Sequence, residues 1–201
     1  MCDAQPARVL NAALAGGVDV VQLRDKRLDD EDLVVVGRRF REACDTHGAL
    51  FVLNDRPDLV PACEADGVHG GQHDLPVREA RALVGEERLV GLSTHSPAQV
   101  DAARGFDYIA VGPVHETPTK AGRPAVGLDP IRHAAAHARV PWFAIGGLDA
   151  RTIEEAIGAG ARRVVVVRAI TEAVDPEAAT RALRVALDAH SVEVEARVGA
   201  T

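Results

Sequence analysis

A chain of 201 residues, 47% hydrophobic and 26% charged, has the length and balance of one globular core of ordinary size. Its formal net charge of −7 argues against a nucleic acid or an acidic membrane surface as partner, since both need a basic face that displaces counterions. Charge that binds an anion must then be local. Aromatics are only 3% of the chain, too few for stacking platforms, and three cysteines (Cys2, Cys44, Cys63) without metal-type spacing fit reduced thiols in a cytoplasmic protein.

In chain order, a helical pattern over residues 8–15 precedes a strand over 18–24. Helix 30–46, strand 49–53, strand 67–69, helix 76–84, strand 89–92 and helix 97–104 follow. Then come strand 108–111, helix 128–138, strand 142–145, helix 150–159, strand 163–167 and helix 176–189. The strands are rich in Val and Ile, and several are apolar on both faces, as buried parallel strands are. Asp29, Ser96 and Asp149 stand where helix N-caps belong, and Pro97 and Pro176 suit first-turn positions. Repeated strand–helix units predict an α/β fold with right-handed crossovers and a parallel sheet, with residues 1–190 as one domain and 191–201 as a loose, flexible tail. No apolar run approaches the ~20 residues of a membrane span, and Met1-Cys2-Asp3-Ala4 has no signal-peptide layout.

Ligands of such folds bind where the parallel strands end, and chemistry-bearing residues gather there. Gln22, Arg24 and Lys26 share one strand parity, with Leu23 facing the other layer. Three polar groups on an inner face call for a ligand; the alternative is an exposed strand end with solvated charge. Asn54 and Asp55 end the next strand, and Asp74 lies four residues past Gly70. Two carboxylates on adjacent strand-end loops suit Mg²⁺, which leaves room for phosphate oxygens, although Asp74 could equally cap the helix near Pro76.

Ser93 ends the strand at Leu92 and offers a hydroxyl to a ligand, whereas His95 reads as a loop residue rather than a base. His69 and His73 are four apart, but Gly70-Gly71 between them rules out a helical metal face. Thr117, Thr119 and Lys120 lie in a long glycine-containing loop of the kind that closes over charged ligands. Gly146-Gly147 and the later strand ending at Arg168 make the pair of loops that cradles phosphate in (β/α)8 barrels.

Taken together, Gln22-Leu23-Arg24-Asp25-Lys26, Asn54-Asp55-Arg56, Asp66-Gly67-Val68-His69, Gly71-Gln72-His73-Asp74, Ser93-Thr94-His95-Ser96, Gly112-Pro113, Thr117-Pro118-Thr119-Lys120 and Ile145-Gly146-Gly147 resemble the thiamine-phosphate synthases, in order, from about residue 10 to residue 170. The resemblance implies a (β/α)8 TIM barrel. Its reaction joins an aminopyrimidine diphosphate to a thiazole phosphate and releases diphosphate by a dissociative route.

It also implies that Gln22, Leu23, Arg24, Asp25, Lys26, Asn54, Ser93 and Lys120 surround the pyrimidine diphosphate, with Arg24, Lys26, Ser93 and Lys120 catalytic. Asp55 and Asp74 would hold Mg²⁺. Thr117, Pro118, Thr119, Gly147, Val167 and Arg168 would bind the thiazole phosphate. Arg168 stands where many members have serine, and His115-Glu116 replaces an aromatic–proline pair. Two alternatives stay open: a ligand-binding relative without activity, and the thiazole tautomerase of the same superfamily, for which His115 or Glu116 would be the base.

Seven strand-like segments stand where the family barrel has eight, the first being absent. The opening Met1-Cys2-Asp3-Ala4-Gln5-Pro6 is too short and polar for a strand, so the expectation is a start further upstream. Unpaired edges invite pairing with another chain, which makes a homo-oligomer an expectation as well.

Overall fold

The computed structural model describes residues 4–117 and 124–198. Helix α1 (Ala4–Ala15) leads into strand β1 (Val20–Leu23), followed by α2 (Asp30–His47), β2 (Leu50–Asn54) and, after a short 3₁₀ turn, α3 (Val60–Cys63). Next come β3 (Gly67–Gly70), α4 (Val77–Val84), β4 (Leu89–Thr94), α5 (Pro97–Ala102), β5 (Tyr108–Val111) and α6 (Asp129–His137). The remainder is β6 (Trp142–Ile145), α7 (Ile153–Gly158), β7 (Val164–Val165), α8 (Arg168–Thr171) and α9 (Pro176–Val198). All seven strands are parallel, in the order β1 to β7, and form a curled barrel-type sheet with helices between them.

Strand parity sorts the core. Phe51, Leu53, Val68 and Val90 pack outward against Leu33 of α2, Val60 of α3 and Val84 of α4. Ile109, Val111 and Ala144 pack outward against Ile131 of α6 and Ala156 of α7. Burying such a side chain is worth about 1.5–3 kcal/mol, so the outer layer supplies most of the cohesion. The opposite parity faces the barrel interior. Pairing register sets Asn54 beside His69, His69 beside Gly91 and Gly91 beside Tyr108, one row across four strands. Val18, at the approach to β1, shares an apolar cluster with Val164, Val166 and Leu183, so α9 packs where the two edge strands approach each other.

An ion-pair device repeats at the N-terminal ends of the strands. Asp66, just before β3, accepts from the Phe51 backbone N–H (2.6 Å) and from Arg41 Nη1 of α2 (2.6 Å). Asp107, just before β5, accepts from the Val90 N–H (2.6 Å) and from Arg81 Nη2 of α4 (2.5 Å). Asp19, before β1, takes Arg184 Nη1 of α9 at 2.8 Å. Each carboxylate ties a helix to the foot of a strand.

Two expectations change. The final helix runs to Val198, through the stretch expected as a loose tail from residue 191. The Val–Glu alternation there reads weakly as strand, but Glu, Ala and Arg propagate a helix already begun. Helix α7 begins at Ile153 rather than 150, because Asp149 caps a preceding turn through the N–H groups of Arg151 (2.8 Å) and Thr152 (3.0 Å).

Asp107→Ala leaves a part-buried guanidinium and a strand N–H without their carboxylate. It is expected to lower unfolding stability by about 1–3 kcal/mol in denaturant melts while leaving the kcat of the folded protein within about twofold, because the lock lies at the barrel's opposite end from the strand-end loops.

Candidate active site

The loop after β1 brings two cations to one carboxylate. Arg24 Nη1 reaches Asp55 Oδ2 at 3.3 Å and Lys26 Nζ reaches the same oxygen at 3.1 Å. Asp55 follows β2 directly and holds φ at 59°, a left-handed conformation that costs a non-glycine residue about 1 kcal/mol or more. That backbone is fixed by its N–H, which donates to the His69 carbonyl at 2.9 Å. Burial alone would raise the Asp55 carboxyl pKa; hydrogen bonds with Lys26, Asn54 and Asp74 outweigh it and hold the group below the usual carboxylate range. The Asp74 carboxyl, on a different loop, is thus among the groups that act on Asp55.

Asp74 does not cap α4, whose N-cap Pro76 has no side-chain cap bond; its Oδ2 instead accepts from the Gly71 N–H at 2.6 Å, closing the turn after β3. Asp25 serves its own loop, accepting from the Arg27 N–H (2.8 Å) and from the Arg27 guanidinium (2.9 Å), which brings its pKa down to about 2. The Leu23 side chain is buried in the outer core, while Gln22 on the opposite parity is exposed.

At the C-terminal ends of later strands lies a cavity of about 290 Å³ lined by Ser93, Thr117, Gly147, Val167 and Arg168 together with His95. The loops after β5 and β6 are joined: the Val114 N–H donates to Ile145 O (2.9 Å) and the His115 N–H to Gly146 O (3.1 Å). Gly147 has φ +64°, and a Cβ there would stand 2.6 Å from His115 Cβ, so only glycine permits this approach. His95 donates from Nδ1 to Gly112 O at 2.5 Å, which anchors its ring at the cavity wall. Arg168 also lines it, with Glu172 Oε2 3.9 Å from Nη1 tempering its charge. Pro118, Thr119 and Lys120 lie outside the described residues.

His69, weighed from sequence only as a metal ligand, and Gln72 bond Ser93, and Tyr108 bonds His69 in turn. The His69 ring lies 2.9 Å from Ser93 Oγ, Tyr108 Oη lies 3.1 Å from the other ring nitrogen, and Gln72 Nε2 donates to Ser93 O at 2.7 Å. The available signal was Gly91, a glycine in mid-strand, two residues before Ser93.

The family model described as thiamine monophosphate synthase matches residues 1–170. The chain belongs to that family. It is 55% identical over 182 residues to the thiamine-phosphate synthase of Thermobifida fusca, covering 89% of this chain and 84% of that one. The Streptomyces avermitilis thiamine-phosphate synthase is 53% identical over 177 residues, covering 86% and 82%. Among solved structures, the thiamine phosphate pyrophosphorylase from Pyrococcus furiosus superposes with a TM-score of 0.85 at 28% identity, covering 92% of this chain and 90% of that one. A 3-hexulose-6-phosphate synthase shares the fold, with a TM-score of 0.66 at 22% identity over 90% of this chain and 94% of that one. The chain is thus a transferase with thiamine-phosphate synthase function. No helix among the described residues is long and apolar enough to cross a membrane.

Gly147→Ala forces the β5 and β6 loops apart. The expected result is a loss of stability of about 1–3 kcal/mol in thermal melts, accompanied by a weaker apparent affinity for the thiazole substrate in steady-state kinetics.

Proposed function

We propose that the chain condenses 4-amino-2-methyl-5-hydroxymethylpyrimidine diphosphate with thiazole phosphate in two adjoining subsites, and that the two share Ser93. The observation that carries this reading is that the Arg24–Lys26–Asp55–Asp74 cluster and a cavity walled by Ser93, Thr117, Gly147 and Arg168 both lie at the C-terminal ends of the parallel strands. Two carboxylates on adjacent strand-end loops fit a hard divalent cation. Asp55 and Asp74 would hold Mg²⁺, which when bound offsets negative charge on phosphate oxygens.

The remaining work falls to this chain's side chains. Arg24, Lys26 and, from the loop, Lys120 meet the diphosphate and stabilise it most as the C–O bond breaks and the electron pair leaves with it. Gln22 and Asn54 orient the pyrimidine, and Asp25 holds the loop that carries Arg24 and Lys26. The cation left on the pyrimidinylmethyl carbon is captured by the thiazole nitrogen, whose phosphate sits against Thr117, Thr119, Gly147, Val167 and Arg168. The lone pair forms the new C–N bond, and no protein nucleophile is needed. Exclusion of water from the site protects the cation from interception.

Isomerase chemistry would need a base. His115, one of the two candidates, does not line the cavity and lies 3.6 Å from Glu155 of α7. The buried Cys44 and Cys63 thiols suit the reducing cytoplasm, where we place the reaction.

Release of diphosphate from the pyrimidine substrate, measured against Mg²⁺ concentration with thiazole phosphate present, tests this directly; turnover indifferent to Mg²⁺ contradicts it. Asp55→Asn is expected to raise half-saturating Mg²⁺ more than Asp74→Asn, because Asp55 is the hub on which Arg24, Lys26, Asn54 and Asp74 converge. Lys120→Ala is expected to lower kcat about 10- to 100-fold, the scale of one charge-assisted contact, with folding intact by circular dichroism. A change in KM alone would remove Lys120 from the leaving-group role.

A further inference from the structure

Three residues from three adjacent strands form a polar chain inside an otherwise close-packed barrel. Tyr108 Oη of β5 lies 3.1 Å from His69 Nδ1 of β3, and His69 Nε2 lies 2.9 Å from Ser93 Oγ of β4. His69 and Ser93 are 6% and 5% exposed, so the bond between them is shielded from water and strongly directional. The Tyr108 ring reaches His69 only by crossing β4 at Gly91. A Cβ there would stand 2.1 Å from Tyr108 Cζ, so any larger residue expels the ring. Phe143 of β6 backs the ring edge-on, with centroids 5.6 Å apart, and Gln72 pins the Ser93 carbonyl at 2.7 Å. Burial raises the Tyr108 pKa above its ordinary value, so the phenol stays protonated.

The direction of the chain follows from what Ser93 must do. An anionic ligand accepts hydrogen bonds, so a serine that binds it must donate its only proton outward and accept on the other side. His69 Nε2 must then carry hydrogen, and Nδ1 must accept from the Tyr108 hydroxyl. Resting on the reading of Ser93 as a diphosphate contact, we propose that His69 is a positioning residue. Through the relay Tyr108 Oη–H to Nδ1, Nε2–H to Ser93 Oγ, it fixes the neutral tautomer that aims the Ser93 proton at the departing diphosphate. Each bond polarises the next toward the site of developing charge. His69 itself touches no substrate.

Single-turnover and steady-state diphosphate release in Ser93→Ala, His69→Asn, His69→Gln, Tyr108→Phe and the Ser93→Ala/His69→Asn double variant tests the proposal. His69→Asn, whose amide lies near the Nδ1 position and stops short of Ser93, is expected to lower kcat about 10- to 100-fold, with KM for thiazole phosphate within about twofold. His69→Gln places an amide N–H near the Nε2 position and is expected to recover most of that loss. Tyr108→Phe keeps the ring packing and is expected to cost a smaller factor in kcat. The double variant should be no slower than Ser93→Ala alone, because His69 acts only through that hydroxyl.

Equal losses in His69→Asn and His69→Gln, or losses that multiply in the double variant while Ser93→Ala is itself impaired, overturn the role of His69 alone. A Ser93→Ala variant with unchanged kcat overturns the reading of Ser93 first, and the proposal with it. Should His69→Asn fail to melt cooperatively, the isosteric Tyr108→Phe decides: unchanged kcat then overturns the relay.

Discussion

The Asp55 carboxylate sets the terms for everything around it. Two cations from the loop after β1, an amide from the end of β2 and a second carboxylate from the loop after β3 all converge on it. A group so placed would be costly to bury alone, and two neighbouring carboxylates would repel; Arg24 and Lys26 make the arrangement tolerable without a ligand. The same balance would let a chain of net charge −7 attract a polyanion. The positive charge is local, mounted on a loop, and countered by carboxylates that a divalent cation would neutralise. Lys26 is 65% exposed along its side chain, so a good part of its reach remains available to an incoming diphosphate.

The barrel separates cohesion from chemistry by strand end and by strand face. At the N-terminal ends, Arg41–Asp66, Arg81–Asp107 and Arg184–Asp19 fasten helices to strand feet. Outward residues such as Phe51 and Ile109 fill the layer against the helices. The inward face is free to be polar: Asn54, His69 and Tyr108 share one row there, and Ser93 lies one step beyond Gly91 of that row. Gly91 and Gly147 serve the site in one manner: each removes a side chain so that a neighbour can approach, Tyr108 in one case and the His115 segment in the other.

Much of this was legible in the sequence because it is local. Short apolar runs mark all seven strands. Strand parity separates Gln22 from Leu23, and Asp29 and Ser96 cap α2 and α5 as their positions suggest. What the sequence hid is pairing across distance. Asp55 meets Arg24 from 31 positions away, and His69 meets Ser93 from 24. No spacing rule reports either. Sequence spacing prompted a search for metal ligands or a base, whereas His69 is buried with Ser93 and Tyr108 on its two ring nitrogens. Asp74 was read as a Mg²⁺ ligand with a helix cap as the alternative; the fold turns it back toward Gly71, which sets the cap aside. The end of α9 was missed because Val–Glu alternation imitates a strand, while propensity and continuation from Pro176 favour helix.

The central claim is that the Asp55–Asp74 pair and its cations form one site for a metal and a diphosphate together. Thermal melting of the protein with inorganic diphosphate, with Mg²⁺ and with both tests it without turnover. The account requires a stabilisation by both together that exceeds the sum of the two alone, as linked binding to the folded state demands, and its loss in Asp55→Asn. Diphosphate stabilising equally with and without Mg²⁺, or equally in Asp55→Asn, would contradict it.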